Sequence, residues 1–261
     1  MATRFVLAEL AAQAGLSESG VPGGVAGPGA PGGVAAEAAG SARADGSARA
    51  GSLDIESVGG VDAERRVAGG EAFDLVFLAQ GALGRLAAGG HVLADTVTPL
   101  VLSQTAAAVP AGPGDPATAE LPEGVAFADA DEMRAALLRA ARIGYSTGPS
   151  GTALVQMIDE WGFADELGER LVQARPGVPV ARSLAEGEVD LGFQQLSELA
   201  GQPGIRILGV LPKDCAIDTV FGGAVAAASA DPAAARAVLS RFASPEVAQI
   251  KAAHAFALPP A

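Results

Sequence analysis

The sequence predicts an α/β fold with largely parallel sheets, and three observations support this. Apolar, strand-like runs alternate with helical patterns of about 10–15 residues. The run from Asp74 to Ala79 is almost continuously apolar after its first residue, which is typical of a parallel strand buried on both faces. The chain has 261 residues, enough for one large domain or two lobes. Because only 4% of these residues are aromatic, the core must consist mainly of aliphatic side chains.

The N-terminal fifth of the chain differs from the rest. A helical period over residues 2–15 predicts an amphipathic helix. Glu9 and Gln13 interrupt its apolar stretch, so it does not resemble a secretory signal. Residues 18–51 are rich in Gly, Ala, Pro and Ser without any period, which predicts a low-complexity surface loop outside the core. No charge-free apolar run reaches about 18 residues, so no membrane insertion is expected.

The remaining elements follow from periodicity and helix-start signals. Asp231-Pro232 and Ser244-Pro245 each place an N-cap residue before a proline, and each pair therefore predicts the start of a helix. The predicted strands are 53–58, 74–79, 96–112, 142–145, 189–193, 205–210 and 216–228, and the predicted helices start at 62 and span 80–88, 129–141, 150–161, 178–187, 231–243 and 244–253.

The turn YSTGPSG at residues 145–151 is a candidate anion site. It joins a predicted strand to a predicted helix, whose first backbone amides lack intrahelical partners and carry a partial positive charge. Glycines permit close approach of a ligand, and hydroxyl side chains add neutral donors. The donors are Ser146, Thr147, Ser150 and Thr152, with Gly151 beside them. The alternative is an ordinary helix start in which the serines serve only as N-caps.

Other polar or glycine residues also follow predicted strands directly. In α/β folds, ligands bind at the carboxyl ends of the strands. We therefore expect the turn at 145–151 to share a ligand-binding rim with four further positions. These are Gly59-Gly60, Gln80, Gln194 and Gln195.

Charge and composition exclude several classes of function. The formal net charge of −13 disfavours nucleic acid as a partner, since such binding depends on Lys and Arg contacts to phosphate. His91 and His254 have no ligand-spaced neighbours, so neither a metal site nor a cofactor is expected. Cys215 is the one cysteine, which rules out an intrachain disulfide, and nothing near it suggests an activated thiol.

Several segments, in order, resemble the molybdate-binding-protein-like family of type 2 periplasmic solute-binding proteins, the binding components of ABC importers. The resemblance covers residues 53–261. The segments are ESVGGVDAERRVAGGEAFDLVFLA, IGYSTGPSGTAL, GEVDLGFQQLSEL, PGIRILGVLP and ASPEVAQIKAAH.

The resemblance implies two α/β lobes that bind a small anionic solute in a cleft and close about a hinge. Lobe 1 would combine residues 1–102 with 219–261, and lobe 2 would be 103–218, with crossovers near 103–109 and 218–221. It also implies a monomer, an ABC permease as partner and a periplasmic location. Matched by position, Ser146, Thr147, Ser150 and Gly151 form the anion loop of lobe 2, Gln194 and Gln195 form the loop after the following strand, and Gly59 and Gly60 form the loop of lobe 1.

Two departures from the family pattern bear on function. The sequence begins inside the expected first helix, so the first strand of lobe 1 and a signal peptide are missing; a truncated start or a cytoplasmic paralogue would explain this. Gly59-Gly60 replaces a hydroxyl donor, which weakens the case for molybdate. Gln80, Gln194 and Gln195 can both donate and accept, which suits an organic acid.

Three functions remain open at this stage. The first is capture of a small anion without chemistry. The second is isomerisation of an unsaturated tricarboxylate, as in the aconitate isomerases that resemble this family, which requires a base near the substrate. Glu198, His91 and Glu56 are candidates, but none lies in a motif that marks a base, and Glu198 is expected to solvate a helix start. The third is a cytoplasmic ligand sensor, suggested by the absent signal alone.

Overall fold

The computed structural model describes residues 10, 17–18, 38–43, 52–175 and 178–260. Two compact units are present. Unit 1 takes in the described residues up to Leu102 and those from Val220 onward, and unit 2 takes in those of Ser103–Thr219. The chain therefore passes from one unit to the other twice.

Strands and helices alternate through both units. The strands are β1 (Ser17–Glu18), β2 (Ala38–Arg43), β3 (Ser52–Gly59), β4 (Leu75–Ala79), β5 (Thr98–Pro110), β6 (Ile143–Tyr145), β7 (Leu171–Gln173), β8 (Leu191–Gln195), β9 (Ile205–Val210) and β10 (Asp218–Val225). The helices are α1 (Gly60–Ala68), α2 (Gln80–Ala88), α3 (Ala130–Arg139), α4 (Pro149–Glu160), α5 (Ala164–Leu167), α6 (Val180–Ala185), α7 (Leu196–Leu199), α8 (Pro232–Ala243) and α9 (Ala248–Ala253). Short 3-10 turns lie at Ala94–Thr96, Gly168–Arg170, Lys213–Cys215 and Pro245–Val247.

Strands that lead into helices run in one direction within each unit. In unit 1, β3 and β4 are both antiparallel to β2, so they share a direction. In unit 2, β6 is parallel to β7 and β8. The pairing as a whole is mixed, because β10 is antiparallel to β4 and β5 is antiparallel to both β8 and β9. The predicted α/β class is confirmed, but the expectation of largely parallel sheets is corrected, because β2, β5 and β10 run against their neighbours.

The structure corrects the prediction for residues 18–51. Instead of belonging to a loop, Ala38–Arg43 forms β2 between β3 and β4. It pairs antiparallel with both strands, so that their facing N–H and C=O groups take part in ladder hydrogen bonds. Small residues can fill this place because ladder hydrogen bonds use the backbone alone. The predicted helix at 2–15, except for the helical and buried Leu10, lies outside the described residues.

The core of each unit follows the apolar patterns of its strands. In β4, Leu75 and Phe77 pack into one cluster while Val76 and Leu78 pack into another, as predicted for a strand buried on both faces. The Phe77 ring lies 5.8 Å from that of Phe242 on α8. Unit 2 has its own cluster, in which Ile143, Leu154, Ile158 and Phe193 are fully or almost fully buried.

Helix starts agree with the predicted caps, with one difference. The Asp231 carboxylate accepts a hydrogen bond from the Ala234 amide at 3.0 Å, and the Ser244 hydroxyl accepts one from the Glu246 amide at 3.2 Å. The helix predicted at 244–253 is divided into the 3-10 turn at 245–247 and α9. Within the described ranges, no helix is long and apolar enough to cross a membrane.

Candidate functional site

The predicted anion turn connects β6 to α4, and we refer to residues 146–151 as the serine loop. Ser146 and Ser150 are both buried, and their hydroxyl oxygens lie 3.0 Å apart. Gly148 is the N-cap of α4, and no side chain caps this helix. Neither serine therefore acts as the N-cap of α4, unlike in the alternative interpretation of this turn.

Close packing of Gly151 against the loop backbone fixes the shape of the turn. A Cβ atom built on Gly151 would lie 1.8 Å from the carbonyl oxygen of Ser146, far inside van der Waals contact. Gly148 differs, because a Cβ there would meet nothing closer than the Ser146 hydroxyl at 3.9 Å. Glycine is thus required at 151 for steric reasons, although it is not required at 148.

Backbone amides of the serine loop are available as donors. Within the described part of the chain, the amides of Thr147, Gly148, Ser150 and Gly151 donate to no protein acceptor, and the first amide that does so is that of Thr152, to the Gly148 carbonyl at 3.1 Å. The N-terminal end of a helix also carries a partial positive charge. Unpaired amides and two adjacent hydroxyls form a neutral donor set suited to an anion.

The side chains of Thr147 and Thr152 are exposed at this edge. The Thr152 hydroxyl lies 3.4 Å from the Gly148 carbonyl, at the limit of a hydrogen bond. Both threonines therefore lie in the same turn as the serines, but their side chains are exposed whereas those of the serines are buried.

Parallel pairing brings the other predicted loop of unit 2 to the same edge. Tyr145 is level with Phe193 on β8 and with Gln173 on β7. The serine loop therefore begins where β6 ends, beside Gln194 and Gln195 at the end of β8. Gln195 is half-buried and forms the N-cap position of α7.

The Gln194 side chain supports the structure around it. Its Oε1 accepts a hydrogen bond from the Val180 amide at 2.8 Å, and its Nε2 donates to Glu198 Oε2 at 2.6 Å. The amide thus joins the first residue of α6 to the short helix α7. Since both of its polar atoms have protein partners, Gln194 is better described as a support for this edge than as a free ligand donor.

Glu198 differs from its sequence-based expectation. Its carboxylate was expected to solvate a helix start, but it is partly buried and bonded to Gln194. Burial raises the pKa of Glu198 above its ordinary value of 4.5, while the hydrogen bond from Gln194 opposes this shift. Its second oxygen, Oε1, has no hydrogen-bond partner among the described residues.

Unit 1 places its predicted site residues at the carboxyl edge of β3 and β4. Gly59 is the N-cap of α1, and a Cβ there would meet no atom within 4 Å. Gly60 is the first residue of α1, and the exposed Gln80 is the first residue of α2. Neither helix has a side-chain cap, so both present open N-termini at this edge of unit 1.

The remaining candidates have structural roles. Glu56 makes a two-point ion pair with Arg66, at 2.7 and 3.0 Å, which removes it as a free base. The backbone carbonyl of His91 accepts a hydrogen bond from the Ala227 amide at 2.9 Å, beside the bridge between Val92 and Ala226. The buried Cys215 thiol lies 3.6 Å from the Met133 sulfur, and burial raises its pKa to about 11. Over the described ranges, no group of three or more potential ligand side chains could hold a metal ion.

A cavity of about 500 Å³ lies elsewhere in unit 2, between α4 and residues 213–218. Trp161 and Asp218 contribute to its lining, and no residue of the serine loop does. Burial raises the pKa of Asp218. Sequence reasoning did not predict this cavity, because its lining residues share no motif and come together only in the fold.

Solved structures with this architecture are two-lobed periplasmic binding proteins. The substrate-binding domain of a putative molybdenum ABC transporter from Clostridium difficile matches with a TM-score of 0.61 and 16% identity, over 77% of this chain and 83% of that one. The periplasmic molybdate-binding protein of Azotobacter vinelandii matches with a TM-score of 0.58 and 22% identity, over 80% of this chain and 88% of that one. At these identities the likeness establishes the fold.

Sequence comparison identifies the family. Residues 24–257 match the bacterial extracellular solute-binding protein family, and the chain belongs to that family. The predicted resemblance to molybdate-binding-like type 2 solute-binding proteins is confirmed. The chain is also 34% identical over 184 residues to an aconitate isomerase from a Pseudomonas species, covering 70% of this chain and 67% of that protein.

Proposed function

We propose that this protein captures a small organic carboxylate, with the serine loop of unit 2 as its principal anion-binding element. The observation that carries the proposal is the packing of Gly151 on the Ser146 carbonyl, which leaves four unpaired amides and two hydroxyls at one helix start. Each hydrogen bond from such a donor to a charged ligand contributes about 1.5–3 kcal/mol. Four of them would contribute about 6–12 kcal/mol, against about 4–15 kcal/mol for the entropic cost of binding.

An organic carboxylate fits better than molybdate or sulfate. Gln195, half-buried at the same edge of unit 2 as the serine loop, adds an amide that can both donate and accept, which suits a ligand carrying carboxylate and carbonyl or hydroxyl groups. The relative that acts on aconitate supports a tricarboxylate in particular.

By its family, the protein would deliver this solute to an ABC permease as a periplasmic monomer. The protein surface is acidic overall, with a formal net charge of −13, so anion capture depends on local donors rather than on the global field. Because salt screens the repulsion between this net charge and an anion, high ionic strength should not weaken binding through the global field.

Isothermal titration of the full chain with trans-aconitate, cis-aconitate, citrate, molybdate and sulfate tests the proposal. We expect saturable binding of at least one carboxylate and weaker binding of both inorganic oxyanions. Tight binding of molybdate without carboxylate binding would overturn the choice of ligand. Absence of binding to every one of these anions would overturn the anion site itself.

A second candidate function is isomerisation of an unsaturated tricarboxylate on the same scaffold. One specific observation favours it, the 34% identity to an aconitate isomerase over 70% of this chain. It requires the same carboxylate site and, in addition, a group that moves a proton. Incubation with trans-aconitate and detection of cis-aconitate separates it from capture alone.

A further inference from the structure

We infer that Glu198 is the proton acceptor and donor in an allylic proton shift within a bound unsaturated tricarboxylate. The inference rests on the proposed carboxylate site and extends it from capture to chemistry. Glu198 was one of three candidate bases in the sequence, although it was expected to solvate a helix start.

The geometry fixes one carboxylate oxygen of Glu198 and leaves the other available. Oε2 accepts the Gln194 Nε2 hydrogen bond at 2.6 Å, and Gln194 is itself held by the Val180 amide at 2.8 Å. These two hydrogen bonds hold the carboxylate in a fixed position relative to the first residue of α6. Oε1 makes no hydrogen bond within the part of the chain that the structure describes, and we assign the proton transfer to this oxygen.

Glu198 and the serine loop follow neighbouring parallel strands of unit 2. α7 begins directly after β8, whose end is level with the end of β6 and hence with the start of the serine loop. Gln195 opens α7 at the same edge. A ligand held by the serine loop would therefore lie at the edge of the sheet that presents Glu198.

Burial gives the group a suitable basicity. A partly buried carboxylate is a stronger base than an exposed one, because removal of solvent disfavours its charged form. The Gln194 hydrogen bond keeps the charged form accessible. A purely structural contact would need neither property, as the exposed Gln156–Glu160 pair on α4 illustrates with the same spacing and a 2.9 Å bond.

The proton shift balances without any co-reactant. Glu198 Oε1 removes a proton from the methylene carbon next to the double bond, and the C–H electron pair joins the conjugated system. The resulting allylic carbanion is stabilised by its carboxylate groups. Return of the same proton to the far end of the allyl system moves the double bond, regenerates the carboxylate and gives the isomer.

Glu198→Gln is the decisive variant, because glutamine preserves an acceptor for Gln194 but cannot take the proton. The full chain, wild type or variant, is incubated with trans-aconitate in D2O, and proton NMR follows both isomer formation and deuterium incorporation. We expect the variant to lose at least about 100-fold in both rates, while its dissociation constant changes less than about threefold. Glu160→Gln provides the matched control and should react at the wild-type rate.

The outcomes separate the two proposals. Bound aconitate that neither isomerises nor exchanges in the wild type would overturn the role of Glu198 and leave capture standing. Failure of the wild type to bind aconitate would overturn both. A Glu198→Gln variant with wild-type rates would assign the proton transfer to another group. Should that variant fail to fold, Glu198→Asp is used instead, because it retains the carboxylate. We expect measurable isomerisation by this variant. Complete loss of isomerisation in an Asp variant that folds and binds the ligand would contradict the inference.

Discussion

A Cβ atom on Gly151 would lie 1.8 Å from the carbonyl oxygen of Ser146. This contact presses the first turn of α4 against the loop that precedes it. The amides of Thr147, Gly148, Ser150 and Gly151 have no acceptor among the described residues, and the buried hydroxyls of Ser146 and Ser150 belong to the same loop. The anion-binding proposal depends on this contact more than on any single hydroxyl.

Gly151→Ala should therefore impair both folding and binding. The added methyl group forces the loop and α4 apart, which we expect to cost about 1–3 kcal/mol of unfolding free energy or more. Urea unfolding and ligand titration measure the two effects. Gly148→Ala is the matched control, since its Cβ has room and its φ of −84° suits alanine. Equal effects of the two substitutions would contradict the steric argument.

Ser150→Ala should weaken binding of the carboxylate by about 10- to 150-fold, the equivalent of one charge-assisted hydrogen bond of about 1.5–3 kcal/mol. It also leaves the Ser146 hydroxyl without its partner, so a moderate loss of stability is expected. Ser244→Ala serves as the control, because removal of that N-cap should cost about 1 kcal/mol of stability without changing affinity. Wild-type affinity in Ser150→Ala would exclude its hydroxyl from the site.

Glu198 should make the stability of the protein depend on pH. Its folded pKa is raised above the ordinary 4.5, so the folded state holds the proton more tightly than the unfolded chain does. Wild-type stability should then fall as pH rises from about 4.5 through the folded pKa and level off above it. Glu198→Gln removes this loss, so the stability of the variant relative to wild type should increase from pH 4.5 to pH 8 in urea titrations. A difference that does not change with pH would show that the carboxyl is not perturbed.

Cys215 should resist alkylation in the folded protein. Its pKa of about 11 leaves only about one thiol in a thousand ionised at pH 8, and the side chain is buried. Mass spectrometry after iodoacetamide treatment should detect little adduct until urea unfolds the chain. Rapid labelling of the native protein at a rate typical of an exposed thiol would contradict the packing of this residue.

Hydrophobic periodicity and helix-cap residues were sufficient to predict most strands and helices, because these local signals agree with the tertiary structure. The predicted helix 80–88 and strand 205–210 have the observed bounds. β2 was not predicted, because residues 38–43 have no local strand pattern and form a strand by pairing with β3 and β4. β7 and α7 were missed because three or four residues are too few for a period.

Within the candidate site, the sequence located the serine loop but not the function of each side chain. A glycine and two serines at a strand–helix junction are visible in the sequence, whereas the contact between Gly151 and the Ser146 carbonyl is not. Gln194 was interpreted as a ligand donor because it follows a strand, but its amide joins α6 to α7. Such roles depend on which elements pack together, and one sequence does not specify them.

Amide chemical shifts of the serine loop test the central claim most directly. We expect trans-aconitate, added to the nitrogen-15-labelled full chain, to shift the Thr147, Gly148, Ser150 and Gly151 resonances in a saturable manner, because these amides lack protein acceptors. Shifts confined to residues around the cavity at Trp161, or no shifts under conditions where binding is measured, would place the ligand elsewhere and contradict the account.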